Sequence, residues 1–148
     1  MGKIRITKLF TFEMAHALKG HDGLCSNIHG HSYKLRVTVV GNTVDNSDSP
    51  KDGMLIDFAD LKHIVKKSIV DKYDHALVLN STTDMTVLNM LKGHYDKIVI
   101  VDYQPTSEQM LMDFANILQQ ELPSTINLYS LRLSETETSY AEWFAEDK

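Results

Sequence analysis

The sequence has a single cysteine, Cys25, in 148 residues. That excludes an internal disulfide and suits a reducing compartment. There is no apolar run of 18 residues and no signal-peptide pattern at the N-terminus, so the expectation is a cytoplasmic protein with no membrane contact. Positive charge is in deficit: 15 Lys and Arg against 20 Asp and Glu leave a net charge of −5. A nucleic-acid partner, which calls for a basic stripe, is not expected. The chain carries no G-x-x-x-x-G-K-[ST], no G-x-G-x-x-G and no Ser-His-Asp signature, which weakens kinase, dinucleotide and serine-hydrolase readings. Internal repeats, low-complexity tracts and dividing linkers are also lacking, so residues 1–148 are expected to form one domain. A chain of this length buries roughly 68–70% of its unfolded surface and needs no staples.

What is present reads as an α+β pattern. Residues 3–12 and 32–41 alternate apolar and polar side chains and predict two antiparallel strands. Between them lies a long connection, 13–31, of the kind that often carries function. Residues 42–53 are polar and read as a loop, after which Asp57 is placed to cap a helix over 57–73. Its apolar face is Phe58, Leu61, Val65 and Ile69, at helical spacing. A strand over 97–102, a helix over about 107–121, a strand over 126–134 and a short strand over 138–144 complete the prediction. Hairpins with two main helices on one face of an antiparallel four-stranded sheet are the expected architecture.

The chemistry concentrates in FTFEMAHAL and CSNIHGHSYKL. In a strand, His29 and His31 point to one face, and a neighbouring strand can bring His16 to the same point. Three neutral imidazoles suit zinc and leave its fourth position open, as in catalytic sites. The same residues also suit a structural zinc closed by Cys25, and both readings stand on spacing alone. Asp74-His75 can relay a proton, the carboxylate fixing the imidazole, or can be a helix-end histidine beside a solvated aspartate. Glu135 follows a strand and can accept two parallel hydrogen bonds from a guanidine-like edge, but Glu137 and Glu142 compete with it for that role. Thr106-Ser107 opens a helix, where free N–H groups favour polar ligand edges, and simple capping is the minimum role.

Taken in order, FTFEMAHAL, CSNIHGHSYKL, GMLIDFADLK, YDHALVLN, PTSEQMLMDFA and LSETETSYAEW resemble the 6-pyruvoyltetrahydropterin synthase / 6-carboxytetrahydropterin synthase family over nearly the whole chain. The Cys-x3-His-x-His spacing is similar to the carboxy-forming branch, which makes a queuosine precursor. The resemblance implies conversion of 7,8-dihydroneopterin triphosphate to 6-carboxy-5,6,7,8-tetrahydropterin, with loss of acetaldehyde and triphosphate. It implies zinc on His16, His29 and His31, Cys25 as base, His75 with Asp74 as proton shuttle, and Glu135 with Thr106 and Ser107 as substrate contacts. It further implies a tunnelling fold assembled as a homohexamer of two trimers, with Asp74-His75 supplied by a neighbouring subunit. Two other readings are a pyruvoyl-forming synthase that leaves the carbon–carbon bond intact, and a non-catalytic pterin- or purine-binding zinc protein. Ala17 stands where many members carry Arg, which leaves the triphosphate contact unassigned; Lys19 is a nearby substitute.

Overall fold

The computed structural model describes residues 2–147. Strands β1 (Ile4–His16) and β2 (His29–Gly41) pair antiparallel along their full length, from Ile4 opposite Gly41 to His16 opposite His29. Both are longer than their alternation predicts. β1 runs four residues past Phe12, through Glu13, Met14, Ala15 and His16, and β2 begins three residues before Ser32. The connection between them therefore shrinks to residues 17–28, and three of its expected functional residues, His16, His29 and His31, become strand residues. Pairing of one strand against the other supplies the order that short-range pattern does not.

The sheet has six strands, not the expected four, in the order β4-β3-β1-β2-β5-β6. β3 (Ala76–Asn80) is a strand that the sequence does not predict, β4 (Ile98–Val101) is the strand predicted over 97–102, and neither is antiparallel to its neighbour toward β1: β3 lies parallel to β1, and β4 parallel to β3. β5 (Ile126–Thr136) pairs antiparallel with β2, and β6 (Ser139–Phe144) closes the far edge. β3 escapes sequence reading because ALVLN is a short apolar run without alternation, and such runs are ambiguous by periodicity.

The predicted helix over 57–73 is α1 (Phe58–Val65), a π-helical turn (Lys66–Val70) and α2 (Asp71–Tyr73). Asp57 caps it, its carboxylate accepting from the Ala59 N–H at 2.8 Å. An additional helix, α3 (Met85–His94), is capped by Asp84 and buries only Leu88, too thin an apolar stripe to read from sequence. α4 (Ser107–Glu121) follows Thr106, whose hydroxyl accepts from the Gln109 N–H.

One face of the sheet holds the core. Phe10, Phe12 and Met14 of β1, Tyr33, Leu35, Val37 and Val39 of β2, and Leu131 and Leu133 of β5 pack against Leu61, Val65 and Ile69 and against Met110, Leu111, Phe114 and Leu118. Phe12 stacks on Tyr33 with ring centroids 5.3 Å apart and meets Phe114 edge-on. The same face, followed one step further along β1 and β2, carries the histidines.

Candidate active site

Strand alternation places the three histidines. His16 follows Met14 on the core face of β1, and His31 and His29 continue the row of Tyr33 and Leu35 on β2. Register sets His16 opposite His29 and Met14 opposite His31. One ligand atom from each histidine lies within 4.8 Å of the other two. Gly30, between the pair, faces the other side; a Cβ there would sit 3.3 Å from the Met14 carbonyl oxygen.

The ring orientations are set by backbone carbonyls. His16 Nδ1 is 2.7 Å from the Pro105 oxygen and His29 Nδ1 is 2.8 Å from the Asn27 oxygen. A carbonyl only accepts, so each Nδ1 carries a proton and each Nε2 presents a lone pair. The two Nε2 atoms stand 3.1 Å apart. Two acceptors at that distance repel, and a cation between them removes the conflict. Zinc–nitrogen bonds of about 2.0–2.1 Å in a tetrahedral set put ligand nitrogens roughly 3.3 Å apart, so the His16–His29 pair matches that spacing, with the His31 donor within 4.8 Å of both. Burial holds the His16 imidazole below its ordinary value, with the neighbouring His29 and His31 acting the same way against the Pro105 bond and Glu135. The neutral form, which binds metals, is thereby favoured.

Glu135 borders the cluster. Its Oε2 is 3.9 Å from His31 Nε2, and its Oε1 accepts from Ser107 Oγ at 2.7 Å. Between Ser134 and Thr136, which pair with Tyr140 and Ser139, Glu135 is an extra bulged residue, a device that re-aims a side chain. Glu137 instead pairs with Lys34 at 2.7 Å and Glu142 with Arg132 at 3.3 Å. The three carboxylates that sequence left equal are thus separated by geometry. Thr106 uses its hydroxyl as the α4 cap, and Ser107 reaches Glu135. A cleft of about 130 Å³ beside them is lined by Ser107, Glu108, Glu135, Ser139, Tyr140 and Ala141.

Cys25 sits in a single 3-10 turn, Leu24–Ser26, half-buried and free. Its sulfur is not part of the clustered donor set, which consists of the three histidines.

Asp74 and His75 are elsewhere. His75 has φ +61, a left-handed conformation unusual for a residue with a side chain. It is held there by its N–H, which donates to the Glu13 carbonyl at 2.6 Å. Asp74 Oδ1 accepts from the Glu13 N–H at 2.9 Å, and its Oδ2 is 3.1 Å from His75 Nδ1. The Glu13 bond, then His75 and Lys97, hold the Asp74 carboxyl below its ordinary range against a burial cost. His75 lines a cleft of about 400 Å³ with Glu13, Met14, Ala15, Gly30, His31, Ser32, Ala76 and Leu77. Glu13, Ala15, Gly30 and Ser32 alternate onto the sheet face opposite the histidine side chains, while His31 borders both the cleft and the cluster. Neither Asp74 nor His75 belongs to the clustered donor set.

Several contributors carry no sequence signal. The Pro105 and Asn27 carbonyls act through backbone that every residue possesses. Tyr33 lies beside the cluster, its ring 5.4 Å from that of His31, and its buried hydroxyl has no hydrogen-bond partner among the described residues. Burial, and then the Glu135 charge, push that hydroxyl well above the ordinary tyrosine range. Lys19, a candidate for phosphate contact, points its Nζ at the Thr82 carbonyl.

Comparison with known proteins agrees with this layout. The chain is 39% identical to the 6-carboxy-5,6,7,8-tetrahydropterin synthase of Haemophilus influenzae, over 94% of this chain and 97% of that one. It is 31% identical to the protein of the same name from Rickettsia typhi, over 94% and 99%. The solved 6-pyruvoyl tetrahydropterin synthase of Caenorhabditis elegans shares the fold with a TM-score of 0.68 at 24% identity, covering 99% of this chain and 98% of that one. The sequence model of one family, 6-pyruvoyl tetrahydropterin synthase, matches residues 5–146. With its strands, bulge and histidine cluster inside that span, the chain belongs to the 6-pyruvoyl tetrahydropterin synthase family.

Proposed function

We propose that the protein is a zinc-dependent 6-carboxytetrahydropterin synthase, converting 7,8-dihydroneopterin triphosphate to 6-carboxy-5,6,7,8-tetrahydropterin, acetaldehyde and triphosphate on the way to queuosine. The observation that carries this reading is the three-histidine donor set with Glu135 at its rim. The names of the relatives favour the carboxy-forming branch.

His16, His29 and His31 hold the zinc, which when bound supplies Lewis-acid polarisation of the substrate's side-chain oxygens. Cys25 removes a side-chain proton as thiolate. Glu135 accepts from the guanidine-like edge of the pterin ring, Ser107 fixes that carboxylate, and at the Thr106-Ser107 start of α4, where the Thr106 N–H already donates to the Gln104 carbonyl, the Ser107 N–H is left for the ring's polar edge. His75, its ring aligned by Asp74, moves a second proton. Asp74 and His75 stand outside the donor set of their own chain, which supports a site completed by His75 from a neighbouring subunit, in a hexamer of two trimers in the cytoplasm. Among the described residues no helix is long and apolar enough to cross a membrane.

The test is incubation of the zinc-loaded protein with 7,8-dihydroneopterin triphosphate and identification of products by mass spectrometry. 6-Carboxytetrahydropterin with acetaldehyde is expected. 6-Pyruvoyltetrahydropterin without acetaldehyde would overturn the branch, and no turnover by assembled, zinc-loaded protein would overturn the enzyme reading.

A further inference from the structure

Between β4 and α4 the chain passes the site in residues 102–106. Its successive residues reach three different parts of the molecule. Tyr103 Oη donates to Asp113 Oδ2 at 2.8 Å, which ties the segment to α4. Pro105 presents the carbonyl that orients His16. Between them, Gln104 reaches across to the loop after β1. Its Nε2 donates to the Lys19 carbonyl at 2.7 Å, and its Oε1 accepts from the Lys19 N–H at 3.1 Å.

Two bonds from one amide to both backbone groups of one residue copy a strand pairing. They lock Lys19 in position and orientation, since donor and acceptor fit only one way round. The Lys19 side chain is held from another side by the Thr82 carbonyl. One residue earlier, the Leu18 N–H donates to the Cys25 carbonyl at 2.9 Å, closing the loop on itself. The chain of contacts thus runs from Gln104 to Lys19, to Leu18, to Cys25. Ordering a long amide side chain costs rotamer entropy. Here the order gained lies in the loop that carries the only thiol.

We propose that Gln104 is a positioning residue, holding the Cys25 loop in register with His16 through its two bonds to the Lys19 backbone. Because Gln104 and Pro105 are adjacent, the thiol loop and the buried histidine are referenced to one short segment of backbone. The catalytic consequence rests on Cys25 acting on substrate as proposed above; the positioning itself does not. The amide is specific. A carboxylate of the same shape accepts from the Lys19 N–H but sets an oxygen against the Lys19 carbonyl, so one bond becomes a repulsion.

The experiment compares wild type, Gln104→Ala and Gln104→Glu as full-length, zinc-loaded proteins. Zinc per chain reports the histidine cluster and is expected at the wild-type level in all three. Amide hydrogen exchange of residues 17–26 is expected to quicken about tenfold in both variants, with faster alkylation of Cys25 by iodoacetamide. Turnover of 7,8-dihydroneopterin triphosphate is expected to lose roughly tenfold in kcat with KM within about twofold, because misplacement of a reacting group acts on the chemical step. Gln104→Glu is expected to follow Gln104→Ala despite its matching shape. Unchanged exchange and alkylation in zinc-loaded variants would overturn the positioning role; full kcat alongside a loosened loop would overturn its catalytic consequence. If the wild-type chain does not turn over the pterin, the proposed function fails, while exchange and alkylation still decide the role of Gln104.

Discussion

His29 shows how a ligand is prepared at the level of a single residue. Its ring is turned by the Asn27 carbonyl, two residues back in its own chain, while His16 is turned by Pro105, 89 positions away. Both leave Nε2 facing the cluster, so removal of one imidazole leaves two donors where zinc needs at least three. His29→Ala is expected to bind no zinc after dialysis against metal-free buffer, by metal analysis; stoichiometric zinc would contradict the ligand assignment. Cys25→Ala is expected to keep its zinc and lose turnover, since the thiol stands outside the donor set. Tyr33 offers a different kind of test. Its hydroxyl is buried without a partner beside a site that holds polar ligands, and a buried unsatisfied group costs about 1 kcal/mol or more. In metal-free protein, Tyr33→Phe is expected to raise stability by about 1 kcal/mol in urea unfolding; a loss of stability would mean that the hydroxyl has a partner in solution.

At the level of elements, the site depends on where strands and helices end. α2 stops at Asp74, and the left-handed His75 turns the chain into β3. Asp74 secures that turn by accepting from the Glu13 N–H, with its carboxyl held below the ordinary value of 3.8. A carboxyl with a lowered folded-state pKa stabilises the fold above the unfolded value and loses that contribution as pH falls through the folded one. The stability gap between wild type and Asp74→Asn is therefore expected to be constant at neutral pH and to narrow only below about 3.8. A gap independent of pH down to 3 units or less would remove the ionised carboxylate from the account of the turn. Helix α4 has the opposite task, pressing Ser107 and the 102–106 segment onto the sheet through fully buried Phe114. Truncation of such a residue costs about 3–5 kcal/mol. The bulge at Glu135 and the π-helical turn in the first helical run break regular geometry without a Pro or Gly to announce them, so neither was legible in sequence.

At the level of the whole molecule, the histidines, Glu135 and Ser107 gather on the helix-covered side of the sheet, and His75 opens into a cleft that only His31 of the cluster borders. Under the proposed function Cys25 and His75 act in one site drawn from two copies, which makes assembly part of the chemistry. Mixing Cys25→Ala and His75→Ala chains, each inactive alone, is expected to recover about a quarter of wild-type turnover after subunit exchange, the random share of sites with both residues intact. No recovery from demonstrably mixed oligomers would place Cys25 and His75 in sites built from one chain.

Local chemistry was enough to locate the histidines. A period of two commits His29 and His31 to one face whatever the rest of the chain does. The alternation of Ile4 and Ile6 and of Tyr33, Leu35, Val37 and Val39, the Asp57 cap, and the Pro-Thr-Ser-Glu entry to α4 depend on neighbours within a few residues, and all can be read along the chain. Only tertiary structure set Glu135 beside the histidines and Ser107 and gave Glu137 and Glu142 to Lys34 and Arg132, since the difference lies in which partners meet each carboxylate. It alone supplied the Pro105 carbonyl and the Gln104 clamp, whose partners are 89 and 85 residues distant. It also added β3, set β3 and β4 parallel to β1, and kept Asp74-His75 out of the histidine cluster. Those outcomes follow from long-range pairing, which carries no periodicity that a local window of sequence can register.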